Sequence, residues 1–144
     1  MPLKTVRWIA LAAALLAPLL SQAKDFALVV HKANRATNIT LKDFQKMLKA
    51  GATQWPGGGP VRLVLMDQDS AEMKPLLEKL GATPDAKGLG ERLIVVTSDK
   101  AVVETVARTP GALGIIDVYS INGEVTVVKL EGKLPLEPGY PLHK

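Results

Sequence analysis

The sequence predicts an α/β fold: a single three-layer lobe with a mostly parallel sheet and helices on both faces. Apolar runs rich in Val, Leu and Ile, typical of buried strands, occur at residues 26–30, 61–66 and 93–96. A polar loop or turn and an amphipathic helical pattern follow each run. Strands that alternate with helices in this way favour parallel pairing through right-handed crossovers.

The first helix is predicted over residues 41–50 by apolar residues at helical spacing. Thr40 precedes it as a good N-cap, and Asp43 stands three residues later as a shortened capping box. Gly51 is predicted to end the helix, because glycine readily adopts the backbone conformation of a helix C-terminus. The next loop has three glycines between two prolines without the spacing of a P-loop, and its Trp55 is predicted to fold over the edge of the core.

The central unit, residues 61–80, reads as a buried strand, a tight polar turn and a helix. Either Asp69 or Ser70 can be the N-cap, and Glu72 adds negative charge to the first turn, where the helix dipole favours it. Gly81 follows as the C-terminal cap. The helix is predicted from four apolar residues at helical spacing: Met73, Leu76, Leu77 and Leu80.

Two further strands and one helix complete the predicted lobe. Ser98 lies in the capping segment of a helix over residues 100–108, whose valines are predicted to face the core. A strand over residues 112–118 contains Gly114, which would allow close packing. Asn122 and Gly123 carry the signal of a β-hairpin, which predicts that residues 125–130 add an antiparallel strand.

The first 23 residues are predicted to be a secretory signal peptide. Lys4 and Arg7 form a basic start, an apolar stretch follows, and small residues precede a cleavage point after Ala23. The remaining residues, 24–144, then form one lobe in the periplasm. The apolar stretch is short and contains Pro18, which argues against stable insertion into a membrane.

Composition excludes several classes of function for this chain of 144 residues. Its net charge of +4 is spread along the sequence, which argues against a nucleic-acid partner. Zero cysteines exclude disulfides, thiol catalysis and thiolate metal sites. His31 and His143 are too far apart for a known zinc motif, and no catalytic constellation is evident. No enzyme activity, cofactor or metal is therefore expected.

The candidate ligand site is the turn before the second helix, comprising Gln68, Asp69, Ser70, Ala71 and Glu72. The N-terminus of a helix after a buried strand is where α/β proteins bind anions. His31 and Asn34 join this set because they follow the first strand, and strand ends commonly hold ligands. The alternatives are a well-capped loop at the turn, an exposed loop histidine at position 31, and a divalent-cation site formed by carboxylates of the turn.

These segments, taken in order, resemble the phosphate-binding periplasmic protein family of ABC transporters. The resemblance is most specific at residues 109–114 (TPGALG) and 139–142 (GYPL), and it covers nearly all of residues 24–144. Members of that family have two lobes that close on phosphate, so the resemblance implies a short relative with one lobe. It implies a phosphate-type oxyanion as ligand, held at the turn around Ser70.

The turn departs from the family motif, an Arg followed shortly by Gly-Ser-Gly-Thr. Ser70 is retained, but Asp69 and Glu72 stand where the first Gly and the Thr would be, and the Arg position falls near Met66. A carboxylate repels an oxyanion, and a bidentate Arg is the strongest phosphate contact. Two functions therefore stay open: capture of a small oxyanion, or a single-lobe module that binds a protein partner or a second copy of itself.

Overall fold

The computed structural model describes residues 25–51 and 54–143. The helices are α1 (Leu41–Leu48), α2 (Met73–Leu80), α3 (Ala86–Leu89) and α4 (Asp99–Arg108). The strands are β1 (Phe26–Val30), β2 (Asn38–Ile39), β3 (Arg62–Met66), β4 (Leu93–Val96), β5 (Ala112–Asp117) and β6 (Thr126–Leu130). Short 3-10 turns lie at Gly90–Arg92 and Val118–Ser120. None of the helices in these two ranges is long and apolar enough to cross a membrane.

The six strands form one mixed sheet in the order β2-β6-β1-β5-β3-β4. The β2–β6, β5–β3 and β3–β4 pairings are parallel, whereas β1 is antiparallel to both of its neighbours, β5 and β6. All of the described strands except β1 therefore run in one direction. The predicted α/β class with a mostly parallel sheet is confirmed.

The predicted β-hairpin at Asn122 and Gly123 is wrong. β5 and β6 are not neighbours, because β1 lies between them: Val29 pairs with Gly114 on one side and with Val127 on the other. The Asn122 side chain instead accepts a hydrogen bond from the Glu124 N–H at 2.9 Å. This local turn belongs to a connection that passes β1, so β6 returns parallel to β5.

Hydrogen bonds confirm the predicted start of α1 and the capping at Ser98. The hydroxyls of Thr40 and Ser98 each accept a bond at 3.1 Å, from the N–H groups of Asp43 and Ala101 respectively. The predicted end of α1 at Gly51 differs in detail, since the left-handed residue is Ala50, with φ of 61°. The Gly51 N–H then donates to a carbonyl of the last helical turn.

The core is centred on β1 and β5, whose apolar residues are buried on both faces. Helix α4 packs on this part of the sheet through the predicted valines, of which Val102 and Val106 face Gly114. A Cβ atom at Gly114 would lie 2.6 Å from Val102 and 2.9 Å from Val106. The predicted close packing at this glycine is therefore confirmed.

Candidate functional site

The sheet has two ends that carry different sets of predicted site residues. We call the end where β3, β4, β5 and β6 finish the upper edge, and the opposite end the lower edge. The turn around Ser70 follows β3 and lies at the upper edge. Because β1 runs the other way, its last residue Val30 pairs with Leu113 near the start of β5, so His31 and Asn34 lie at the lower edge. The structure does not bring these two sets together.

The Ser70 turn, residues 67–72, is held by hydrogen bonds within itself. Asp67 accepts the Asp69 N–H on its side chain at 2.9 Å and the Ser70 N–H on its carbonyl at 3.0 Å. The Ser70 hydroxyl accepts the Met73 N–H at 3.2 Å, and its carbonyl accepts the Lys74 N–H at 3.0 Å. Ser70, rather than Asp69, therefore caps the start of α2.

Two backbone donors remain unused at the Ser70 turn. The N–H groups of Ala71 and Glu72 make no hydrogen bond to the part of the chain that the structure describes, and both residues are exposed. The Ser70 N–H is not available, because it donates to the Asp67 carbonyl. A small anion at the turn could therefore take two backbone donors, helped by the dipole of α2.

The surroundings of these donors are acidic. The strands that end at the upper edge are followed by carboxylates, in contrast to the Gly-rich motif of the resembled family. Carboxylates close to a bound oxyanion weaken its binding through charge repulsion, most strongly where water is excluded. These carboxylates are Asp67, Asp69 and Glu72 after β3, Asp99 after β4, and Asp117 at the end of β5.

A shallow cavity of about 440 Å³ lies beside the Ser70 turn, along α2. Of the predicted site residues, Gln68 and Asp69 line it, and Lys74 brings a cation to the same lining. Ser70, Ala71 and Glu72 are not part of that lining. Because Glu78 also lines it, the cavity holds two carboxylates and one cation, and it does not enclose the free donors of the turn.

A larger cavity of about 700 Å³ opens at the lower edge and extends along β2 and α1, and we call it the lower cavity. It contains both His31 and Asn34, together with Arg35 and the loop that carries Trp55. Sequence reasoning missed this cavity, although the run of glycines between prolines at residues 56–60 marked a loop of unusual shape. Within residues 25–51 and 54–143, no group of three or more His, Asp or Glu residues is placed to hold a metal ion.

Trp55 is buried at 6% exposure, and its indole N–H donates to the Gly111 carbonyl at 2.9 Å. This confirms the predicted packing over the core edge. Asp25, at the upper edge, is a further buried polar residue: it is 3% exposed and contacts His143 in the C-terminal tail.

The sequence model of one family, described as a PBP superfamily domain, matches residues 19–140. The chain belongs to the PBP superfamily. No curated protein sequence matches it significantly.

Several solved structures share the fold of this PBP domain. They include an ABC-type phosphate transport receptor from Vibrio cholerae (TM-score 0.74, 20% identity, 85% of this chain and 54% of that one). PstS from Borrelia burgdorferi is similar, with a TM-score of 0.72, 18% identity and coverage of 85% and 55%. A phosphate-binding protein from Stenotrophomonas maltophilia gives 0.62, 15% identity and coverage of 80% and 41%.

The PBP domain spans about half the length of these solved structures. The resemblance drawn from residues 109–114 and 139–142 is thereby confirmed at the level of family and fold. At 15–20% identity, the likeness to these structures establishes the fold of the chain.

Proposed function

We propose that this PBP domain is a non-enzymatic solute-binding lobe that binds a small oxyanion, phosphate or a close relative, at the Ser70 turn. One observation carries the proposal: the N–H groups of Ala71 and Glu72 are exposed and unpaired within the described residues, at the start of a helix that follows a buried strand. Backbone donors at such a helix start bind anions without requiring an Arg. The names of the structural neighbours, which include phosphate-transport proteins, agree with this ligand class.

The same geometry predicts weak binding. The Ser70 turn offers two backbone donors and the nearby Lys74, but three carboxylates surround it: Asp67, Asp69 and Glu72. The turn is also open to water, which screens both the attraction and the repulsion. We therefore expect a dissociation constant in the millimolar range, where binding contributes only about 4 kcal/mol.

Isothermal titration with phosphate and with sulfate tests the proposal. Ser70→Ala removes the hydroxyl at the turn, and Ser98→Ala is the matched control, because Ser98 caps α4 in the same way at the same edge. We expect saturable heat that Ser70→Ala weakens and Ser98→Ala preserves. Glu72→Lys should strengthen binding by reversing the charge nearest to the donors. Absence of heat at millimolar anion, in both the natural chain and Glu72→Lys, would set solute binding aside.

A second candidate function is a protein-interaction module, with the upper edge as the contact surface. Tyr119 is 70% exposed and Leu136 is 61% exposed, and both lie near the start of β1 at this edge. A contiguous exposed apolar patch rimmed by polar residues is typical of interaction sites. Sedimentation equilibrium of the natural chain and of Tyr119→Ser tests self-association, which the substitution should weaken if this surface is the contact.

We also propose that the chain is exported to the periplasm through a signal peptide at residues 1–23. This segment lies outside the described residues, so the proposal rests on its basic start, its apolar stretch and the small residues before position 24. N-terminal sequencing of the protein from a periplasmic fraction should give Lys24 as the first residue. A periplasmic protein that retained Met1 or its neighbours would contradict cleavage after Ala23.

A further inference from the structure

We propose that the lower cavity is a second ligand site, which takes a small organic anion with an apolar body and one carboxylate. None of its lining residues belongs to the Ser70 turn, so this inference is independent of the proposed oxyanion function. The cavity joins an apolar floor to a rim with hydrogen-bond donors and a cation. That combination is typical of small-molecule sites, where apolar walls bind and a few polar groups orient the ligand.

The apolar floor is formed by side chains from three elements: Ile39, Met47 and Trp55, which are 4%, 5% and 6% exposed. Because each of them is held by the core, the floor has a fixed shape. Their remaining exposed surface faces a cavity large enough for an aromatic ring. An apolar ligand body packed against this floor would remove its own apolar surface from water, which is favourable.

The wall of the cavity is fixed by backbone contacts around Trp55. Its main-chain N–H donates to Gly59 and its carbonyl accepts from Gly58, each at 2.9 Å. The indole N–H bonds to Gly111, whose φ of 81° suits glycine and whose missing side chain leaves room for the carbonyl of Pro60. The site is thus formed before a ligand arrives, which reduces the entropic cost of binding.

The rim supplies donors to an anion. Arg35 is exposed and makes no hydrogen bond or ion pair to residues in the described ranges. The His31 ring accepts the Ala33 N–H on Nδ1 at 3.0 Å, so the neutral ring carries its proton on Nε2 as a donor. The side-chain oxygen of Asn34 accepts the Ala36 N–H at 2.9 Å, which leaves its amide N–H groups for a ligand.

The charges of the lining set the class of ligand. Arg35 is the cation of the lining and Asp43 is its carboxylate. One guanidinium matches one carboxylate group in a bidentate pair. Asp43 would repel a second negative charge, so dianions should bind less well than monoanions.

Benzoate is a suitable probe, with benzamide as an uncharged molecule of similar shape. The chain has two tryptophans, Trp8 and Trp55, so the full-length Trp8→Phe protein reports on the cavity through Trp55 fluorescence. We expect a saturable response to benzoate and at least about tenfold weaker binding of benzamide, because the charged pair is lost. Millimolar phosphate should not compete with benzoate, which separates this site from the Ser70 turn.

Three variants locate the site. Arg35→Gln should weaken benzoate binding about tenfold, and Asp43→Asn should strengthen it. Lys32→Gln is the matched control, since Lys32 is an exposed cation close in sequence to Arg35 that does not line the cavity. Backbone amide spectra confirm the fold of each variant and should show benzoate shifts at residues 57–59. Equal binding of benzoate and benzamide, equal losses in Arg35→Gln and Lys32→Gln, or no spectral response to benzoate would each overturn the proposal.

Discussion

The carboxylate of Asp25 meets the imidazole Nδ1 of His143 at 2.5 Å, and so joins the two ends of the described chain. Asp25 is 3% exposed, and its second oxygen accepts the Leu136 N–H at 2.5 Å. The Phe26 N–H bonds to the Leu142 carbonyl one residue further in. The buried carboxylate therefore ties the C-terminal tail to the first strand at the upper edge.

We predict that His143→Ala lowers the free energy of unfolding by about 1–2 kcal/mol, because a buried carboxylate then loses one of its two partners. His31→Ala is the control, since the ring of His31 bonds only to the neighbouring Ala33 N–H among the described residues. Urea denaturation measures both variants. Equal stability of His143→Ala and the natural chain would show that the tail does not depend on this pair.

Because the phenol of Tyr140 is buried, we predict that the domain loses stability at alkaline pH. Tyr140 is 4% exposed, and its hydroxyl makes no hydrogen bond in the described part of the chain. Burial, followed by the charge of Asp25, raises the pKa of Tyr140 above its usual range, and the nearby main chain of Leu28 opposes this in part. The unfolded chain therefore releases this proton first, at a pH of about 10.

Tyr140 therefore makes its full contribution to the free energy of unfolding below pH 10. That contribution is lost as the pH rises towards the folded-state pKa of Tyr140. Tyr140→Phe should remove this alkaline loss of stability. At pH 7 it should leave the free energy of unfolding almost unchanged, because the hydroxyl has no hydrogen-bond partner to lose. Tyr119→Phe is the control, since Tyr119 is 70% exposed and should leave the alkaline loss unchanged. Thermal unfolding between pH 8 and 11 measures all three proteins.

The contact between α4 and β5 predicts the effect of a single methyl group. Gly114→Ala would place a Cβ atom within 2.9 Å of Val102 and Val106, whose branched side chains have few alternative rotamers. We expect destabilisation of about 1–3 kcal/mol by overpacking. Gly123→Ala, where the added atom meets open space, should be nearly neutral. If Val102→Ala does not reduce the cost of Gly114→Ala, overpacking is not its cause.

Alanine substitutions at Gly81 and Gly111 distinguish the stability cost of backbone strain from the cost of a steric clash. Both have left-handed backbones, with φ of 68° and 81°, but a Cβ atom at Gly81 meets nothing, whereas at Gly111 it meets the Pro60 carbonyl. Gly81→Ala should cost about 1 kcal/mol, the usual strain of a left-handed residue. Gly111→Ala should cost clearly more, as measured by chemical denaturation. Similar losses in the two variants would mean that the Pro60 loop moves aside easily.

Local chemistry in the sequence was sufficient to predict α1, α2 and α4 and their starts, whereas the short helix α3 was not predicted. Thr40, Ser70 and Ser98 each accept an N–H bond from the residue three positions later, as capping residues do. These signals involve neighbours in the chain, so they can be recognised without knowing the fold. The end of α1 was less predictable, because Ala50 adopts the left-handed conformation that the sequence suggested for Gly51.

The order and direction of the strands depend on pairing between residues that are distant in sequence, and they were predicted less well. Nothing in the run of residues 26–30 indicates that β1 enters between β5 and β6 in the opposite direction to the rest. Because β1 is reversed and lies between β5 and β6, no hairpin forms at Asn122, and His31 and Asn34 lie far from Ser70. The candidate site residues were therefore individually reasonable but could not be grouped correctly without the topology.

The central position of β1 also determines when the lobe can fold. Val30 pairs with Leu113 on one side and with Thr126 on the other. The first strand therefore cannot pair until the last third of the chain is present. Closing such long loops costs entropy before any contact is gained, which slows folding and makes it cooperative. A chain that is still being synthesised thus leaves β1 unpaired, and this lobe cannot complete its sheet until nearly all of it has been made.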